Sequence, residues 1–240
     1  MAKLKWQSVR ILLIAVTLSG VIGIFLRAIL LSKTDTLLQL HSVNFPATIP
    51  LSQWQPLASK TLEATNQAQS IGKQYYYRQN GERLEIKARY EHYTDGNISR
   101  LLVVYTPIKP ATVQPIIKYQ EGIGSYSLFE HEGKAYLSAC INYAGESTVT
   151  EQQFVQNKYA YGWSPQRTLF WILGQNDLFD GRCLWTLISV PLSSDSYVLA
   201  IEKAYGDLEN AWFDWYGWWK PRLLQGPVAC YQGPGGQGRK

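Results

Sequence analysis

The chain has 240 residues, a formal charge of +5 and nine Trp and sixteen Tyr. Its basic residues are scattered, several of them in the first ten positions and in the Gly-Arg-Lys end, so no Lys/Arg stripe supports nucleic-acid binding. The small positive excess suits an anionic membrane surface instead, and the aromatic content suits one folded domain with its own core.

Residues 1–10 carry Lys3, Lys5 and Arg10 and no acidic residue. Residues 11–31 then read ILLIAVTLSGVIGIFLRAILL, apolar except for Arg27 in its outer half. As a helix this run spans roughly 30 Å, the thickness of a hydrocarbon core, and the Arg27 stem can snorkel to the headgroups. A cleaved signal peptide would share the basic start and apolar run. However, RAILLSK offers no A-x-A-like site and no Cys for lipidation, so an uncleaved transmembrane helix is the reading adopted. Basic residues cluster before the span, which predicts a cytoplasmic N-terminus, a single pass through the inner (plasma) membrane and a periplasmic domain.

Residues 32–68 contain Phe45, Pro46, Pro50, Trp54 and Pro56. These favour extended and turn conformations, and the segment is expected to be a stalk, with Trp54 packed back on the domain or resting at the membrane interface.

Residues 69–225 form the expected extracytoplasmic α+β domain. The runs 73–79 and 82–93 flank Asn80-Gly81, the strongest short-range hairpin signal. Leu84, Ile86, Ala88 and Tyr90 alternate with charged residues, which gives the second strand one buried face. Asp95-Gly96 marks a turn, and RLLVVYT (100–106) reads as a further strand. A third hairpin spans 125–142 and turns at Glu132-Gly133. Thr150 and Gln153 have capping-box spacing, predicting a helix toward Tyr159. Ser164-Pro165 predicts an N-cap followed by Pro at the first helical position, with Gly174 as the stop.

Residues 182–192 return to strand. From Ser194 a long helix is expected, with Val198, Ile201, Tyr205, Leu208, Trp212, Trp215 and Trp219 on one face. Gly206 weakens this helix and Pro221 ends it. The prediction is therefore a mainly antiparallel sheet of about five or six strands with the C-terminal helix packed on one face. The tail, 226–240, is too polar to fold alone.

The cysteines are Cys140, Cys183 and Cys230. Two readings are open: a Cys140–Cys183 disulfide in an oxidising compartment with Cys230 unpaired, or buried free thiols. A Cys thiolate paired with His92 or His131 would make an enzyme, but no spacing demands it, and no catalytic residues are assigned. CxxC, HxH and HExxH are all missing from the sequence, so neither a metal nor a cofactor is expected. GPGGQGRK lacks the P-loop spacing. Asn97-Ile98-Ser99 matches a glycosylation triplet, relevant only in a eukaryotic host. The best interaction candidate is WFDWYGWWK: Trp218 falls off the helical stripe and, with Lys220 and Arg222, is predicted to dock onto a membrane or a membrane-embedded partner.

Four stretches together resemble the cyanobacterial cyanoexosortase A system-associated proteins. They are SACINYAGESTVTEQQF (138–154), LFWILGQ (169–175), DGRCLWTLISVPL (180–192) and AWFDWYGWW (211–219), and the layout of anchor, stalk, sheet domain and Trp-rich helix is similar as well. The resemblance implies an accessory of a multi-pass exosortase-type enzyme that sorts proteins with a PEP-CTERM-like tail. It implies no catalytic residues in this chain, because the Cys and His chemistry of such systems belongs to the partner. The alternatives are an extracytoplasmic thiol-dependent enzyme and a general envelope-assembly protein.

Overall fold

A computed structural model describes residues 2–31, 43–63, 70–172, 177–192 and 197–224. These fall into two compact units, one made of residues 1–40 and 163–179 and the other of residues 41–162 and 180–240.

The first unit contains α1 (Ala2–Leu31) and α4 (Pro165–Ile172). Within α1, Trp6–Ile24 is long and apolar enough to cross a membrane, and none of it is buried within the protein. In α4, Ser164 caps the first turn as expected: its hydroxyl oxygen accepts from the Arg167 amide at 3.2 Å, and its carbonyl from the Thr168 amide at 3.0 Å. Gly174 lies outside the described residues.

The second unit is α+β. Its sheet is antiparallel throughout, in the order β1-β2-β3-β7-β6-β5-β4. The strands are β1 (Gln55–Leu62), β2 (Ile71–Gln79), β3 (Glu82–Glu91), β4 (Ile116–Gln120), β5 (Gly124–His131), β6 (Lys134–Asn142) and β7 (Cys183–Pro191). The hairpins expected at Asn80-Gly81 and Glu132-Gly133 form. Asn80 and Gly81 have φ of 48° and 87°, and Glu132 and Gly133 have 47° and 71°, the left-handed pair a tight two-residue turn requires.

Three helices belong to this unit: α2 (Ile98–Tyr105), α3 (Glu151–Tyr161) and α5 (Tyr197–Leu224). α5 packs against β6 and β7 on one face of the sheet. The predicted stripe is the reason: Leu208, Trp212, Trp215 and Trp219 are buried, joined by Ala204, Ala211, Tyr216 and Leu223, while Ile201 and Tyr205 are half-buried. The side chain of Val198 lies outside the described residues. These rings meet Leu84, Ile86 and Ala88 of β3 and Leu184 and Ile188 of β7 in one core. Burying each such side chain contributes roughly 2–3 kcal/mol. The opposite face of the sheet has a second cluster: Cys140, Cys183, Trp185 and Leu187 under Ile98, Leu101 and Leu102 of α2 and Phe154 of α3. β7 alternates between the two cores, which explains its nearly unbroken apolar run.

Four expectations need correction. Residues 100–105, expected as strand with Thr106, are helix. Asn97 caps α2 through its side chain, and Ile98, Leu101 and Leu102 bury together at helical spacing while Val103 and Val104 are exposed. That cap and that buried face outweigh the strand preference of the β-branched pair.

The stalk assignment of 32–68 also fails over the part described. Residues 43–54 run extended along the α5 side of the sheet, and β1 pairs with β2 as an edge strand. The prolines keep the segment out of a helix, as expected, and leave its carbonyls for the sheet: Tyr75 and Tyr77 donate their hydroxyls to Pro46 and Ile49, both at 3.0 Å. Ile49, Leu51 and Trp54 then complete the core. Asp214 of α5 accepts from the Ser52 amide at 2.7 Å and its hydroxyl at 2.6 Å.

Third, the sheet has seven strands because β1 and β4 join those expected. Fourth, α5 passes through Pro221 and continues to Leu224. A proline in the last turn forfeits one backbone bond, and burial of Leu223 holds that turn in place. The capping box forms as predicted, with Gln153 donating its amide to Thr150 Oγ1 at 3.2 Å and Gln153 Oε1 accepting from the Thr150 amide at 3.2 Å. Residues 226–240, including Cys230, lie outside the described residues.

Candidate docking surface

The last two turns of α5 decide what each member of the predicted surface can do. Trp219 lies on the stripe and is buried. Trp218, one step round the helix, lands on the rim, half-buried. Its ring sits edge-on to Trp219, with centroids 4.8 Å apart. Arg222, one turn later, places its guanidinium 3.8 Å from the Trp218 centroid and donates from Nη1 to the Trp218 carbonyl. Trp218 is therefore less open than the sequence predicted, held between a core ring and a cation. The exposed residue of the pair is Arg222.

Lys220 departs further from expectation. Its ammonium turns inward and donates to the carbonyls of Asn142, at 2.9 Å, and Gly145. Burial pushes its pKa down to about 8, against the opposing pull of the Glu146 carboxylate. With the Lys220 ammonium turned inward onto two backbone oxygens, the exposed part of the predicted three-residue surface is Arg222 beside Trp218.

The loop that receives Lys220 is tightly built. Asn142 and Asn157 each donate from Nδ2 to the Glu146 carbonyl at 2.7 Å. Gly145 has φ of 72°, and a Cβ there would lie 1.8 Å from Asn157 Oδ1, so only glycine fits. Beside the loop is a shallow depression lined by Asn142, Tyr143, Phe154, Lys158, Asp180 and Arg182 among others. Arg182 lies 4.0 Å from the Tyr143 ring centroid. It also donates from Nε to Asp180 Oδ1 at 2.8 Å, with a further bond from Nη2 to Oδ2. Burial alone would lower the Arg182 pKa; the Asp180 carboxylate outweighs it and raises the pKa, so the guanidinium stays charged. The sequence clue was the Asp180-Gly-Arg182 spacing, which puts both groups on one short turn.

Cys140 and Cys183 are joined by a disulfide, with Cα atoms 5.7 Å apart. Of the two readings left open, this is the bridged one. It lies in the α2/α3-side core beside Trp185, which pairs across the strands with Cys140. With both sulfurs bonded, neither supplies a thiolate. His131 is at the turn end of its hairpin, roughly 20 Å along the strands from Cys140. His92 follows β3, edge-on to Tyr90 at 5.0 Å. Asn97 of the glycosylation triplet uses its side-chain oxygen to cap α2, accepting from the Ser99 amide at 3.1 Å. Among the described residues, no group of three or more His, Cys, Asp and Glu is placed to hold a metal ion.

Three of the four stretches that carry the family resemblance meet at this corner. Residues 138–154 supply the end of β6, the loop and the start of α3; 180–192 supply the Asp180–Arg182 turn and β7; and 211–219 supply the turns of α5 that precede Lys220. In comparisons with known proteins, no family model, curated protein or solved structure matches this chain.

Proposed function

We propose that this chain is a single-pass, membrane-anchored accessory of an exosortase-type system that sorts proteins with a PEP-CTERM-like tail. In this reading the N-terminus is cytoplasmic and the sheet domain stands on the periplasmic side of the inner membrane. The chain acts by binding the multi-pass sorting enzyme. The observation that carries the reading is the meeting of residues 138–154, 180–192 and 211–219, joined by the Cys140–Cys183 bridge on one face of the sheet and by the Trp215–Thr186 bond and the Lys220 contacts on the α5 side. Support for the anchor comes from α1.

The docking element in this proposal is the Arg222–Trp218 pair, an exposed cation fixed over a half-buried ring. Such anchors lose little side-chain freedom on binding. Arg222→Glu should weaken co-purification of the sorting enzyme from detergent-solubilised membranes and leave the melting temperature nearly unchanged. Full recovery of the enzyme with the Arg222→Glu protein would remove this surface from the proposal.

A further inference from the structure

The segment from Trp163 to Ile172 is an exposed apolar stretch. Trp163 is 61% exposed, Leu169 55%, Trp171 50% and Ile172 55%. Large apolar side chains crowded at this density need a partner. Only one charged residue, Arg167, lies in the stretch. The helix is real rather than a frayed loop, because Ser164 caps it and Pro165 starts it.

The occupant is indicated by α1, the apolar helix that brings this chain to a membrane. The environment of that helix is a bilayer, on the strength of its apolar length. Eight residues rise only about 12 Å, too short to cross. A short helix with Trp before and within it and Leu and Ile exposed matches an element that lies in the interface, its rings at headgroup depth and its aliphatic side chains among the upper acyl carbons.

We infer that α4 is a second membrane contact, an interfacial helix that inserts into the same bilayer as α1 and so holds the sheet domain by two points rather than by one tether. The inference rests on the anchor in the proposed function and not on the sorting partner. It is also separate from the Trp218–Arg222 surface.

The test uses full-length protein reconstituted into phosphatidylcholine vesicles with a minor share of phosphatidylglycerol, made with plain or with chain-brominated lipid. The Trp163→Phe/Trp171→Phe double variant is subtracted from wild type, so the difference spectrum reports those two rings alone. Phe keeps both positions apolar, and each single variant provides the same subtraction. The expected result is a blue-shifted difference emission that is lost in brominated vesicles. Equal emission in both vesicles overturns the inference: a red-shifted maximum would mean rings in water, and a blue-shifted one rings against a second copy or another protein. Flotation of the wild type is read in parallel. Protein that fails to float overturns the anchor and α4 together, whereas floating protein with unquenched emission overturns α4 alone.

Discussion

Trp215 and Trp212 sit on the same buried stripe but differ in one hydrogen bond. Trp215 donates its indole N–H to Thr186 Oγ1 at 3.0 Å, whereas the Trp212 N–H is buried without a partner among the described residues. Replacing each with Phe removes similar volume, so the difference between the two variants isolates that bond. Trp215→Phe should destabilise by about 1 kcal/mol more than Trp212→Phe in urea unfolding. Equal losses would mean that the bond is not made. Lys220 supplies a pH signature. Its amine titrates near 8 when folded, against 10.5 for the ordinary side chain. Between these values the unfolded chain binds more protons, so stability rises with pH across that window. Lys220→Met should abolish the rise; comparing variant and wild type at each pH cancels the tyrosine contributions. A parallel pH profile in the variant would place the ammonium in solvent. Neither residue's partner could be read from the sequence, because Asn142 and Gly145 lie more than seventy positions from Lys220. The apolar stripe, by contrast, was legible because its spacing is local.

At the scale of elements, the hairpins, the capping box and the C-terminal helix were readable because each is encoded within a few residues. α2 was misread because Val103 and Val104 dominate its local composition, while the decisive facts are Asn97 capping and burial of Ile98, Leu101 and Leu102 against the sheet. β1 was hidden for a related reason. Prolines mark a segment as extended but do not say whether it crosses solvent or a sheet. What binds it is backbone pairing with β2, and Tyr75 and Tyr77, 29 and 28 residues on from Pro46 and Ile49, fix the segment just ahead of it. The bridge between β6 and β7 closes a loop of 43 residues, worth about 4 kcal/mol in the chain-entropy account. Reduction should therefore lower the melting temperature of the wild type and leave a Cys140→Ser/Cys183→Ser variant unaffected; identical wild-type melts with and without reductant would contradict the bond. α5 can be strengthened at Gly206, where an added Cβ meets nothing within 4 Å. Gly206→Ala should gain about 1 kcal/mol, or roughly 2–4 °C in melting temperature. A loss would show that the helix is bent or contacted there.

At the scale of the whole molecule, the chain joins one apolar helix to a sheet domain whose two cores lie on opposite faces of β7. The proposed sorting role rests on the likeness of sequence and on the meeting of three of the similar stretches. A single-pass protein of this build influences an enzyme by holding it or by presenting substrates to it, so its loss should impair processing even though every catalytic group of the enzyme remains. The most direct measurement is processing of an exported protein carrying the PEP-CTERM-like tail in a strain that lacks this chain but retains the sorting enzyme. The account predicts that tailed precursor accumulates and that the wild-type gene restores processing, with the Arg222→Glu form restoring it poorly. Normal processing in the deletion strain would contradict the account at its centre.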